Sequence, residues 1–151
     1  MRRWGWLTPG HRPGVNLPWG DPVLRSHTAH RASGLYAHVT WHTYRRMKAI
    51  RKCDVPEIVA SVLEAGRQTG VRVHAQAVLR DHVHVLVSYR PDTTLAAFVR
   101  DAKSESSRLA GPNATWCRGY YAGSVCENHL AYTRRYIADQ HGHHPDLIPP
   151  G

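Results

Sequence analysis

The stretch Arg80-Asp81-His82-Val83-His84-Val85-Leu86-Val87-Ser88 narrows most what this chain can fold into. Side chains alternate faces along a strand. Val83, Val85 and Val87 therefore turn into a core, while His82, His84, Leu86 and Ser88 take the other face. Two imidazoles at i and i+2 then stand side by side and can share a metal ion. The spacing does not carry that reading alone. Twelve histidines in 151 residues supply about one His-x-His by chance, and His141-Gly142-His143 is a second one. The surrounding elements decide.

Leu35 to His42 also alternates, with Leu35, Ala37, Val39 and Trp41 facing one way and Tyr36, His38, Thr40 and His42 the other, which predicts a first strand. A helix is expected next. Asp54 offers an N-cap, Pro56 sits in the first turn, Glu57 completes an Asp-x-x-Glu box, and Gly70 is a stop. Its apolar stripe is Ile58, Val59, Val62, Leu63 and Ala65. Val71 to Ala77 alternates again and turns near Arg80-Asp81 into the His82 strand, giving an antiparallel pair. After Pro91, Thr93 or Thr94 caps a second helix with Leu95, Phe98, Val99, Ala102 and Leu109 inside and Arg100, Lys103 and Arg108 outside. Another extended segment is expected around Trp116 to Val125, and Glu127 to Gln140, free of Gly and Pro, reads as a third helix.

Strand, helix, strand, strand, helix, strand is the order of an α+β, ferredoxin-like (RRM-like) antiparallel sheet. Helices cover one face, a further helix follows at the C-terminus, and the other face is left open for function. His82 and His84 fall on that open face, beside Tyr36, His38 and His42 of the first strand. There His38 and His42 either assist at a metal or phosphate or serve as ordinary polar residues. Asp81 either orients a neighbouring imidazole or caps the hairpin turn.

Lys and Arg number 20 against 11 Asp and Glu, a formal charge of +9, which points to a polyanionic partner. Cys53, Cys117 and Cys126 are odd in number and lack a C-x-x-C spacing, which fits neither a disulfide framework nor a zinc finger. No stretch approaches the ~20 apolar residues of a membrane span. A cytoplasmic protein without membrane attachment is expected. Three segments follow: a basic Trp-, Pro- and Gly-rich extension over 1–34, a domain over 35–144, and a Pro-rich tail over 145–151. The extension has either a role on unpaired bases, through Trp stacked beside Arg, or none. His141, His143 and His144 are expected in a mobile tail.

In the last predicted helix Tyr132, Tyr136 and Gln140 recur at i, i+4 and i+8 on one face, opposed by Leu130, Thr133 or Arg134, and Ile137. By itself this is also the pattern of tyrosines that simply pack. Four pieces in order resolve it: Asp81 to Val87, Tyr36 to Arg46, Lys103 to Leu109, and Tyr136-Ile137-Ala138-Asp139-Gln140. Together they resemble the single-tyrosine HUH transposases of the insertion sequence 200/605 type, including the REP-associated tyrosine transposases, over about Leu35 to Gln140. The resemblance implies that His82 and His84 are metal ligands, Gln140 the third ligand and Tyr136 the catalytic nucleophile. It also implies Mg2+ or Mn2+ as cofactor, single-stranded DNA with imperfect hairpins as partner, and a homodimer whose catalytic helix either subunit can supply.

The implied reaction is attack by Tyr136 on a phosphodiester, giving a 5'-phosphotyrosine and a free 3'-hydroxyl that later rejoins DNA. A tyrosine hydroxyl, with an ordinary pKa of about 10, is a poor nucleophile at neutral pH, so polarisation of the phosphate by a cation suits it. Two imidazoles and an amide are neutral and leave the ion's charge available, without selecting Mg2+ over other divalent metals. Arg45, Arg46, Lys48, Arg51 and Lys52 after the first strand, with Arg100, Lys103 and Arg108 on the second helix, are the expected phosphate contacts. The alternative is a non-catalytic or domesticated single-stranded DNA or RNA hairpin-binding protein on the same fold. An RRM-type binder would need stacking aromatics on its inner strands, where only Tyr36 stands.

Overall fold

The computed structural model describes residues 35–151; the basic extension over 1–34 lies outside them. Four strands, β1 (Tyr36–His42), β2 (Arg72–Val78), β3 (His82–Ser88) and β4 (Tyr121–Val125), form one antiparallel sheet in the order β2-β3-β1-β4. Helices α1 (Val55–Thr69) and α2 (Leu95–Ala110) pack against each other on one face. This is the expected ferredoxin-like α+β arrangement. Ala37, Val39, Trp41, Val83, Val85 and Val87 meet Ile58, Val62, Phe98, Val99 and Ala102 in the core. Each large apolar side chain buried this way contributes about 1.5–3 kcal/mol.

Gly70 ends α1 in the left-handed region at φ 75°, its N–H bonded to the Gly66 carbonyl. Gly66 faces the returning chain so closely that a Cβ there would lie 2.6 Å from the Val71 carbonyl oxygen. The expected Asp54/Glu57 capping box does not form. The Asp54 carboxylate turns back to accept from the Arg51 N–H at 2.9 Å and the Asn113 amide at 3.3 Å. Two apolar positions also leave their stripes. Leu63 is 51% and Leu109 41% exposed, and Ser61 and Ser106 occupy the inner positions instead. Ser106 is satisfied there, donating to the Ala102 carbonyl and accepting from the Trp116 indole. In β2, a bulge between Val73 and Ala75 interrupts the alternation, and His74 bonds to Ser88 at 2.7 Å.

The largest departure concerns the face expected to be open. Helix α3 (Leu130–Ala138) lies across β2 and β3 there, and His84 and Leu86 on that face are accordingly 8% and 1% exposed. The predicted single helix from Glu127 to Gln140 is broken into a 3-10 turn at Glu127–His129, α3, and a short α4 (Gln140–His143), with non-helical geometry at Asp139. The expected mobile tail is instead tied down. The His141 imidazole bonds to the Val78 carbonyl at 3.1 Å, the Arg80 N–H to the Leu147 carbonyl at 2.8 Å, and the Lys52 N–H to the Pro150 carbonyl at 2.8 Å. Among the described residues no helix is long and apolar enough to cross a membrane.

Candidate functional site

The sheet register builds a cluster of imidazoles. His42 pairs with His82 and Thr40 with His84 across β1 and β3, which places His38 diagonal to His84 on the same face. His82 Nδ1 lies 2.5 Å from Asp81 Oδ1. A carboxylate only accepts, so His82 carries its proton on Nδ1 and its Nε2 is left as a lone pair. That Nε2 lies 3.0 Å from His84 Nε2. Of the two readings of Asp81, the geometry realises the orienting one. Asp81 is itself fixed, since its backbone carbonyl accepts from the Thr43 N–H at 2.8 Å.

Helix α3 brings Tyr136 over this cluster. Its half-buried ring stands edge-on to His38 and His84, with centroids at 6.0 and 6.2 Å, and 5.4 Å from the His143 ring. Tyr132, expected on the same face, is 72% exposed and points away. Gln140 sits deeper than Tyr136. The buried row runs through Thr133, Ile137 and Gln140, with non-helical geometry at Asp139 just before the last of them. Gln140 is fully buried; its Nε2 donates to the Tyr136 carbonyl at 2.9 Å and its Oε1 has no partner among the described residues. One turn further on, His144 brings its ring 6.0 Å from that of His82.

This set suits a divalent cation on two grounds. Nitrogens 3.0 Å apart can both reach one ion at the usual distance of about 2.1 Å, and a buried amide oxygen without a hydrogen-bond donor is the acceptor a cation would satisfy. Among the described residues no group of three or more His, Cys, Asp or Glu side chains is arranged to hold a metal. Gln140 Oε1 would add a donor of another residue type.

Burial pushes the His84 pKa down from 6.5 to about 3, aided by the neighbouring His82, His38 and His144. His38 is lowered by burial, and His42 by burial and then by Arg46. His84 is thus a neutral lone-pair donor at neutral pH. The unfolded chain takes up a proton on His84 below about 6.5 that the folded chain refuses until about 3. Stability is therefore fully present above pH 6.5 and declines as pH falls through that window. Urea unfolding between pH 7 and pH 4 should show a midpoint that falls with acidification, and a smaller fall in His84→Ala.

The basic residues are placed unequally. Arg45 and Arg46 follow the end of β1 in a 3-10 turn, both at φ 53° and both exposed. The Arg45 guanidinium lies over the Tyr44 ring at 5.1 Å. Lys48 pairs with Asp146, Arg51 with Asp54, Arg100 with Asp101 and Arg108 with Glu105. Lys103 is drawn inward, its ammonium donating to the carbonyls of Cys117 at 3.0 Å and Gly119 at 2.7 Å. Among the described residues Arg46 and Lys52 make no ion pair. Sequence reasoning gave no place at the site to His143 and His144. Their i+7 and i+8 spacing from Tyr136 was the available sign.

The sequence model of the family described as "Transposase IS200 like" matches residues 31–140. The ISDra2 transposase TnpA of Deinococcus radiodurans is 34% identical over 86 residues, 49% of this chain and 61% of that protein. The match thus spans about three-fifths of the length of that relative. Among solved structures, a chain from Deinococcus radiodurans R1 described as a candidate transposase aligns with a TM-score of 0.59 at 21% identity, over 77% of this chain and 98% of its own. A REP-associated tyrosine transposase, solved bound to a REP hairpin, aligns with a TM-score of 0.60 at 15% identity, over 74% and 68%.

Proposed function

Since the chain belongs to the IS200-like transposase family, we propose that it cleaves and rejoins single-stranded DNA at hairpin-flanked ends through a covalent 5'-phosphotyrosine on Tyr136. The observation that carries this reading is the position of the Tyr136 ring 6.2 Å from that of His84, with buried Gln140 one turn along the chain. His82, His84 and Gln140 would hold a divalent cation, Mg2+ or Mn2+. Bound there, it would polarise the scissile phosphate and offset the charge that develops on it.

The remaining roles fall to the chain itself. Asp81 fixes the ring of His82 and presents its Nε2. The Tyr136 hydroxyl oxygen attacks phosphorus, the bond to the 3' oxygen breaks, and that oxygen leaves as a 3'-hydroxyl with a proton. Rejoining reverses the step, so no water is consumed. Arg45, Arg46 and Lys52 are exposed and form no ion pair among the described residues, which leaves them ready for phosphates; Lys48, Arg51, Arg100 and Arg108 would exchange their carboxylate partners for DNA. Lys103 acts by fixing the 117–119 segment against α2. A hairpin as partner is supported by the REP-hairpin-bound structural neighbour. Tyr136 lies beside the histidines of its own chain, which supports a site complete within one subunit of a homodimer.

The test is incubation with Mn2+ and labelled single-stranded DNA from the flanks of the encoding gene, followed by denaturing electrophoresis. A protein–DNA band that survives denaturation is expected, and its absence with every divalent metal would refute the reading. A sheet-face RNA binder is disfavoured by α3, which covers β3, one of the two inner strands where bases would stack.

A further inference from the structure

His38 lies outside the set of residues proposed to touch metal or DNA, yet it contacts His84 directly. Its Nε2 is 2.8 Å from His84 Nδ1. The two rings are within 22° of parallel with centroids 5.0 Å apart, the separation of two imidazoles joined end to end, nitrogen to nitrogen. Both nitrogens of His84 are therefore engaged, Nδ1 by His38 and Nε2 by His82 at 3.0 Å.

Each neutral imidazole has one proton to place, so the row from Asp81 to His38 has two arrangements. In the closed one, His84 Nε2–H donates to His82 Nε2, and His38 Nε2–H donates to His84 Nδ1. The histidine pair is then bonded to itself. In the open one, His84 carries its proton on Nδ1 and donates it to His38 Nε2, while His38 is protonated on its own Nδ1. Both Nε2 lone pairs then face one another across 3.0 Å. Going from closed to open, the His38 Nε2 proton passes to His84 Nδ1, the His84 Nε2 proton leaves to solvent, and solvent returns one to His38 Nδ1. Proton count and charge do not change. A His84 poised for a cation must be in the open arrangement, and the group that accepts its Nδ1–H is His38.

We propose that His38 is a positioning residue that holds His84 in its Nδ1–H tautomer and so sets the affinity of the His82–His84 pair for a divalent cation. This rests on the reading of that pair as the cation site. It gives β1 a part in the site through a residue that neither touches DNA nor binds the ion.

The experiment uses the full chain freed of metal, with Mn2+ alone as ligand, followed by loss of the free-ion electron paramagnetic resonance signal. Imidazole tautomers are read by long-range 15N–1H correlation in the metal-free protein. His38→Ala should weaken Mn2+ binding by about 10- to 100-fold and increase the Nε2–H population of His84. His38→Gln, whose amide oxygen can accept from Nδ1–H, should restore binding to within about threefold of the parent. His38→Leu, which fills the space without accepting, should bind as weakly as His38→Ala and keeps the comparison with Gln decisive where Ala fails to fold. Unchanged Mn2+ binding in His38→Leu, or a Gln variant no better than Leu, would overturn the proposal. His84→Ala separates the two layers. If it binds Mn2+ like the parent, the pair is not the cation site and the underlying reading falls; if it loses binding while His38→Leu does not, only the role of His38 falls.

Discussion

Tyr136→Phe is expected to abolish the covalent adduct with single-stranded DNA, lowering cleavage by on the order of 10^3-fold or more, while hairpin binding is unchanged. The substitution removes one oxygen and keeps the ring that stands edge-on to His38 and His84 and lies against His143. Its cost in stability should stay within about 1 kcal/mol, so lost cleavage would reflect lost chemistry and not lost fold. Tyr132→Phe is the control. At 72% exposure Tyr132 is free of the imidazole cluster, and its variant should cleave normally. Loss of the adduct in Tyr132→Phe with retention in Tyr136→Phe would reassign the nucleophile.

His84→Ala should eliminate divalent-cation binding and cleavage together. The side chain is 92% shielded by the fold and is bonded on both sides, to His82 and to His38. Its removal deletes one donor of the proposed set and leaves two partners unmatched, which should also cost about 1–3 kcal/mol. Titration calorimetry with Mn2+ and the adduct assay read the two effects separately; full cleavage in the variant would refute the site. Mixing it with Tyr136→Phe asks a further question. If each site is complete within one chain, two inactive partners stay inactive. Recovered cleavage would mean that the tyrosine of one subunit serves the histidines of the other.

Where local pattern controls the outcome, the sequence was sufficient. Alternation placed Val83, Val85 and Val87 in the core and His82 and His84 opposite, and Gly70 stops α1 as its freedom at positive φ requires. Tyr136 and Gln140 were picked out by resemblance, and the fold brings Tyr136 to the histidines. Their supposed common face with Tyr132 hid a difference in depth, Tyr132 being exposed and Gln140 buried. An uninterrupted helix was assumed, whereas the chain turns at Asp139 and the tail beyond it docks on the Val78 and Arg80 backbone, a contact between segments more than 60 positions apart. The same long-range docking brought His143 and His144 to the site and closed part of the face expected to be open. Helical periodicity placed Lys103 on the outer side of α2, whereas three carbonyls in the segment before β4 draw it in, and partial burial lowers its pKa. Charge counts give how many cations a chain has, and carbonyl positions decide which of them are free.

The turn after β1 bears on how such a protein would respond to selection in the laboratory. Two consecutive arginines at φ 53° occupy a region that costs a residue with a Cβ about 1–2 kcal/mol, and Thr43 holds them there by bonding to the Met47 and Asp81 carbonyls. A screen for heat resistance alone would be drawn to glycine or asparagine at positions 45 and 46, each an easy gain in melting temperature. A winner at position 46 would discard a guanidinium close enough to His42 to lower its pKa. Thermostable variants of this chain should therefore be chosen with nucleic acid present, so that robustness is not gained by disarming the edge of the site.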